Sequence, residues 1–413
     1  MDGTPEKHSW LFKRHFRSRG FGWAGSSLAS QRLREAISEI KSVAKKSPVT
    51  AGDGVVTVCE RMWPAFQNID TSSGALGSAG GRALDVLLPF LIQAPANLAT
   101  RRKWLNRLYA AIEDDGVDWL SQVREVWGRI CAHPELRDDW IDEFLSIARH
   151  VLTSEERAGY FFGTAMCLSC LLEAGRYDEL EALLKASVRP FWHDQRYWAE
   201  ALLRLGRPEE AIAYAEAQRN PQHYADGAIS DFCEDTLLAM GRPEDAYRRY
   251  GLRVNQEQPY ITQFRRIMKR YPMISGERIL HDLIDGSEKP GSWFASARQA
   301  GLLDLARECA SDDVVAPATL ARAARDTVES SPSFSFDMAI RAIDLVMQGY
   351  GYEERGADAL LAADYVIASA RRLDDHRHVA EGITRLVQIL PDPRDPLTAS
   401  IRRRLGVGWP RIF

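Results

Sequence analysis

The chain has 413 residues, 45% hydrophobic and 27% charged, a balance that excludes a disordered protein. Lys and Arg number 53 against 57 Asp and Glu, so the net charge of -4 excludes a wholly basic nucleic-acid-coating protein. The most apolar run, Ala83 to Ile92, is short and carries Asp85 and Pro89, and Met1 to Trp10 is charged with no apolar stretch behind it. A soluble, cytoplasmic protein without membrane contact is therefore expected. The 6 cysteines are too sparse for a disulfide framework. Cys59, Cys131, Cys167, Cys170 and Cys233 fall among apolar residues at helical spacing, Cys309 near a helix end, and all read as reduced core thiols.

The first distinctive stretch is basic and aromatic. From Lys7 to Arg34 stand Lys7, Lys13, Arg14, Arg17, Arg19, Arg32 and Arg34 without one acidic residue, interleaved with Trp10, Phe12, Phe16, Phe21 and Trp23. Residues 1–27 are read as an N-terminal arm. Its aromatics are expected to pack along the remainder of the chain, which over residues 47–413 sums to -10. The alternative is an anion or nucleic-acid contact made by Lys13, Arg14, Arg17, Arg19 and Trp23, with arginines for charge and tryptophan for stacking.

A helical region, 28–153, follows. Leu33, Ile37, Ile40 and Ala44 recur at helical spacing from Leu28 to Lys46, behind a cap at Ser26 or Ser27. Asp70-Thr71-Ser72-Ser73-Gly74, with Gly77, Gly80 and Gly81, has the small residues that could cradle an anion at a helix start. It lacks the phosphate-loop lysine and a preceding strand, so a capped loop with tight helix packing is expected. Helical patterns continue through Ala83–Ile92, Arg102–Ile112, Trp119–Cys131, Trp140–Leu152 and Tyr160–Glu173. Alternating strand patterns are missing, and the expected fold is all-α.

Residues 154–311 then repeat. Gly175-Arg176-Tyr177-Asp178-Glu179-Leu180, Gly206-Arg207-Pro208-Glu209-Glu210-Ala211 and Gly241-Arg242-Pro243-Glu244-Asp245-Ala246 are versions of one segment. Glycine suits the left-handed residue that ends one helix, proline the first position of the next, and acids the first turn. Eight residues before each glycine stand Cys167, Trp198 and Cys233, and Trp293 stands in the same relation to Gly301, a fourth copy. The spacing predicts an α-solenoid of stacked helical hairpins with irregular repeats, followed by a C-terminal helical region, 312–413.

Gly-Arg-Pro-Glu-Glu-Ala-Ile-Ala-Tyr at 206–214 resembles the turn of a tetratricopeptide repeat, although Ala199 stands where that repeat has glycine and Asn220-Pro221 ends the unit early. Phe21-Gly22-Trp23-Ala24-Gly25-Ser26, Glu39 to Lys46, Asp70 to Ala75, Thr319 to Asp326 and Gly349-Tyr350-Gly351-Tyr352-Glu353 are similar to an uncharacterised bacterial helical family, some of whose members follow a SWIM-type zinc finger. The resemblance runs from about Arg14 to the late helices and implies a fold without an established activity. The Cys-x-Cys pair of that finger does not occur here, although Cys131-Ala132-His133 has its Cys-x-His spacing, so its nucleic-acid role is not implied.

Other candidates read as structural. Cys167-Leu168-Ser169-Cys170 has zinc-like spacing without a second pair. Asp374-Asp375-His376-Arg377-His378 reads as a solvated turn, and Glu277 with His281 as a surface pair. Trp192 and Tyr197, beside Phe191, Trp198, Tyr214 and Tyr224, are candidate walls of a peptide groove, with core packing the expectation. No catalytic constellation, metal set or cofactor motif is legible. The expected function is a non-catalytic protein–protein interaction scaffold with an unidentified protein partner, and the alternative a nucleic-acid-associated accessory protein.

Overall fold

A computed structural model describes residues 3–154, 161–220, 225–252, 260–351, 355–390 and 394–406. Tyr160, Pro221, Tyr224, Tyr352 and Glu353 of the sequence reading lie outside them. Every regular element among the described residues is helical, as the 3.6-residue spacing of the apolar side chains dictates. The chain forms two compact units, Met1–Thr236 and Leu237–Phe413, so the expected repeat region crosses their division.

The first unit holds α1 (Ser26–Ala44), α2 (Pro48–Phe66), α3 (Ala75–Gln93), α4 (Leu98–Glu113), α5 (Ser121–Glu125), α6 (Trp127–Cys131), α7 (Pro134–Thr153), α8 (Gly163–Ala174), α9 (Tyr177–Lys185), α10 (Trp192–Arg204) and α11 (Pro208–Ala217). The division falls within α12 (Asp226–Ala239). The second unit holds α13 (Pro243–Ala246), α14 (Tyr260–Arg270), α15 (Gly276–Asp285), α16 (Phe294–Gln299), α17 (Leu303–Asp312), α18 (Pro317–Thr327), α19 (Pro332–Met347), α20 (Arg355–Ala370), α21 (His376–Ile389) and α22 (Pro396–Leu405).

In the first unit α1 buries Ala29, Leu33, Ala36 and Ile40, and packs against α2 and α3. Its N-cap is Gly25, not Ser26 or Ser27; the Ser26 hydroxyl instead donates to the Asp70 carbonyl at 3.0 Å. Among the described residues α3 is the one helix long and apolar enough, by length and composition, to cross a membrane. It extends well before the apolar run read from the sequence, and Leu76, Ala83, Leu84, Leu87, Leu88 and Leu91 are buried. The single helix expected over Trp119–Cys131 is broken at Val126 into α5 and α6. That break lets α6 lie on α8, where the Gly128 N–H donates to Ser169 Oγ at 3.1 Å.

The turn glycines adopt the expected conformation. Gly175, Gly206, Gly241 and Gly301 have φ of 70, 72, 72 and 81°. At Gly206 two amides close back on the preceding helix, Gly206 N–H to Leu203 and Arg207 N–H to Leu202, at 3.0 and 2.9 Å. Gly241 repeats this with Leu238 and Leu237, and Gly301 with Arg298 and Ala297. Ala211, Ala246 and Ala306, five residues after their glycines, are wholly buried, as are Cys167 and Cys233 eight before.

Gly128 marks a close helix contact. A Cβ there would lie 2.3 Å from the Ser169 carbonyl oxygen and 2.9 Å from Cys170 Cα, both backbone atoms that cannot rotate away. Gly128→Ala is therefore expected to cost about 3 kcal/mol, measured by urea unfolding. Gly227→Ala, on an exposed part of α12 with open space around it, should change stability by less than about 0.5 kcal/mol.

Candidate functional site

The basic, aromatic N-terminal segment divides its side chains between two environments. Trp10, Phe12, Phe16 and Phe21 are 4, 2, 1 and 5% exposed. Their rings run in series at centroid distances of 5.3, 6.0 and 6.5 Å, and Phe16 and Phe21 then meet Phe66 of α2 at 5.5 and 5.4 Å. Phe66 passes the stack to Trp119 at 5.7 Å. Gly54 provides the seat for Trp10, since a Cβ there would come within 2.4 Å of the indole.

Polar contacts fix the backbone over this stack. Glu39 of α1 accepts the Leu11 and Phe12 N–H groups at 2.7 and 3.1 Å, satisfying the start of the short turn Leu11–Arg14. Arg61 donates to the Phe16 carbonyl at 3.1 Å, and the Arg19 N–H to Pro64 at 2.8 Å. Arg19 has φ of 55°, a left-handed residue at the reversal before Gly20. The Asp70 N–H donates to the Trp23 carbonyl at 2.9 Å.

With the aromatics turned inward, Lys13, Arg14, Arg17 and Arg19 are left exposed, and Trp23 is 72% exposed. Among the described residues no carboxylate lies within ion-pair distance of these four cations. The segment therefore brings all five sequence-predicted contact residues to solvent. The expected packing holds for four of its five aromatics, anchored by rings and by Glu39, and fails for Trp23. Arg14 donates to His15 Nε2 at 3.0 Å. Burial first, then Arg32 and Arg14, hold the His15 imidazole below its ordinary pKa.

The groove reading of Trp192 and Tyr197 is corrected. Trp192 is 6% and Tyr197 1% exposed, because both project into the interior of the first unit. Trp192 meets Phe232 edge-on at 5.4 Å. The Tyr197 hydroxyl donates to the Glu125 carbonyl at 3.1 Å. Trp198 is interior as expected, and Phe191 is exposed. The Asp70 loop is an Asx turn, with Asp70 Oδ1 accepting the Ser72 N–H at 2.9 Å. Gly80 lies under Trp119, where a Cβ would meet the ring at 2.9 Å, the expected small-residue packing.

The remaining candidates are structural. Asp375 caps α21 by accepting the His378 N–H at 3.0 Å, while His378 reaches Asp337 at 2.9 Å. Glu277 and His281 are exposed. Among the described residues no group of three metal-capable side chains comes together. The sequence reading missed the partly buried cluster in which Arg107 of α4 binds Glu60 through two bonds, Asp53 through one and Thr57 through one. Its signal was the i, i+4, i+7 spacing of Asp53, Thr57 and Glu60 on α2. The arginine neutralises both carboxylates and staples α2 to α4.

All the cysteines are buried free thiols. Burial pushes Cys59 and Cys167 up to about 12, and Cys131 and Cys170 sit 4.0 Å apart. The folded protein should give almost no reaction with an aromatic disulfide reagent at neutral pH, whereas in denaturant it should release 6 equivalents of thiolate by absorbance.

No known protein-family profile matches this chain, and no curated protein matches it in sequence.

Proposed function

We propose that the chain is an α-solenoid of TPR-like, irregular helical hairpins that serves as a non-catalytic protein–protein interaction scaffold, akin to the bacterial helical family its sequence resembles. The observation that carries this reading is serial packing. In the first unit α8 packs on α9 and α10, and α10 on α11; in the second α18 packs on α19 and α20, and α20 on α22. Helices that contact the next and the next but one along the chain make an extended array whose faces are available to a partner. The recurring left-handed glycine supports the same reading.

The test is affinity capture with the tagged full chain from cells of its source at near-physiological salt. One protein should co-purify at close to equimolar amount and rebind the pure chain in isolation. Repeated recovery of the chain alone overturns the scaffold.

A second reading, a nucleic-acid-associated accessory protein, is favoured by four exposed cations without a carboxylate partner and an exposed Trp23 in one segment. It predicts binding of single-stranded nucleic acid whose affinity falls by roughly three decades per decade of salt, as four phosphate contacts require. Replacing Lys13, Arg14, Arg17 and Arg19 together by alanine should abolish it, and Trp23→Ala should cost about 1–3 kcal/mol, both read by fluorescence anisotropy. Binding indifferent to salt, or none at low ionic strength, removes this reading.

A further inference from the structure

A cavity of about 390 Å³ lies within the first unit, where the end of α7, the start of α8 and the start of α10 meet. One side is apolar and aromatic, with Phe161, Phe162 and Phe191 among its lining residues. Phe161 is held against Phe144 at 5.4 Å, and Phe162 against Tyr109 at 5.8 Å. The Phe161 ring lies over Gly163, where a Cβ would come within 2.4 Å of it, so this wall depends on a glycine at that position. The loop after α9 is tied down by the Val188 N–H, which donates to the Leu152 carbonyl at 3.0 Å.

The other side is polar and unsatisfied. Thr164 is 6% exposed, and its Oγ1 has no hydrogen-bond partner. Ser187 Oγ, on the α9–α10 loop, has none either. Asp194, in the first turn of α10, lines the same cavity, and its carboxylate makes no hydrogen bond or ion pair among the described residues. Arg189 and His193 line the cavity too, but Arg189 donates to the Ser154 carbonyl at 3.5 Å, and His193 and Arg196 are directed to Glu125, at 3.8 and 3.1 Å. Buried polar atoms are ordinarily paired, and each unpaired one carries a desolvation cost. Here two hydroxyls on two segments lack partners together, and the partly exposed Asp194 carboxylate, its charge eased by His193 and Arg196, lines the same cavity.

We propose that this cavity binds a small primary ammonium ion with an apolar body, its three N–H bonds directed to Thr164 Oγ1, Ser187 Oγ and the Asp194 carboxylate, and its body against Phe161, Phe162 and Phe191. An ammonium has three donors and no acceptor, which matches three oxygens of which one is charged. Aromatic faces attract a cation and shelter the carbon skeleton attached to it. A carboxylate ligand would face Asp194 as a like charge, and an alcohol would leave that charge unpaired. The volume falls in the lower part of the small-molecule range, suited to an arylalkylamine rather than a peptide. Burial raises the Asp194 pKa against the opposing pull of His193 and Arg196.

The experiment titrates the full chain by calorimetry with three compounds of one aryl body: 2-phenylethylammonium, 2-phenylethanol and 3-phenylpropanoate. The ammonium should saturate one site, and the other two should bind far more weakly. Asp194→Asn should weaken ammonium binding by roughly tenfold or more, and Thr164→Val by about fivefold, the losses expected for a charge-assisted and a neutral hydrogen bond. Gly227→Ala, at the exposed position on α12, should leave it unchanged. Thr164→Val keeps shape and charge, so it decides the matter if Asp194→Asn fails to fold. Equal affinity for the alcohol, preference for the carboxylate, or no saturation below about 10 mM ammonium would each overturn the assignment.

Discussion

An α-helix leaves its last four carbonyls without intrahelical partners, and the way this chain satisfies them sets the course of its backbone. After α8, α10, α12, α16 and α19 the same device appears, a glycine at positive φ whose flanking amides turn back onto the helix just completed. A Cβ would be strained at that backbone conformation, so the residue type is dictated by geometry and not by contacts; around Gly175, Gly206 and Gly241 the space is open. At the first three of these turns the next residue is arginine, which binds an acid three positions on, Arg176 to Glu179, Arg207 to Glu210 and Arg242 to Asp245. The acid also lies in the first turn of the following helix, where the dipole favours it. Where no glycine is present the carbonyls need another donor. At the end of α3 it is Arg101, 1% exposed, whose guanidinium donates to the Leu91 and Ala94 carbonyls beneath the Trp104 ring. Burial brings its pKa down to about 10, which still leaves it charged at neutral pH.

The N-terminal segment shows the same economy of partners in reverse. Four aromatic rings remove themselves from water against α2, each worth on the order of 2 kcal/mol of transfer free energy, and that fixes a stretch with little regular structure. Arginine and lysine cannot follow them inward without a partner, because a desolvated unpaired charge costs more than an aromatic ring gains. The alternation of ring and cation in the sequence therefore separates into two sides. Glu39 does for this segment what a capping side chain does for a helix, and its two oxygens are spent on backbone amides instead of on the cations nearby.

Much of the fold was legible because it is written in short-range chemistry. The helical spacing of Leu33, Ile37 and Ile40, the glycine turns and the cysteines among leucines each report a local preference that packing then respects. The interior placement of Trp198 followed from its register eight residues before Gly206, and Trp293 before Gly301 is likewise buried. What stayed hidden needed a partner distant in sequence. The break at Val126 exists because Gly128 must approach the Ser169 backbone, 41 residues away. Ser26 looked like a cap but donates to Asp70, and Gly25 takes its place. Tyr197 was expected in the core, with a groove as the alternative, but nothing in the sequence joined its hydroxyl to Glu125, 72 residues earlier. Arg107 carried no motif at all, yet it gathers Asp53, Thr57 and Glu60. The cavity beside Asp194 was the least visible, since its three oxygens come from three segments and each is an ordinary residue alone.

The charge of the whole chain hides the character of its surface. Residues 47–413 carry an excess of ten negative charges, which on paper more than cancels the N-terminal cations. Within the first unit, however, several carboxylates are spent at short range: Asp53 and Glu60 on Arg107, Asp118 on Arg124, Glu125 on Arg196, Glu179 on Arg176. At physiological salt the Debye length is about 8 Å, so a carboxylate already paired elsewhere does little for an exposed arginine beyond that distance. Lys13, Arg14, Arg17 and Arg19 thus stay exposed without a carboxylate at ion-pair distance among the described residues, in a protein of net negative charge. A ligand bearing closely spaced negative charges can neutralise several of them at once and release the counterions they hold.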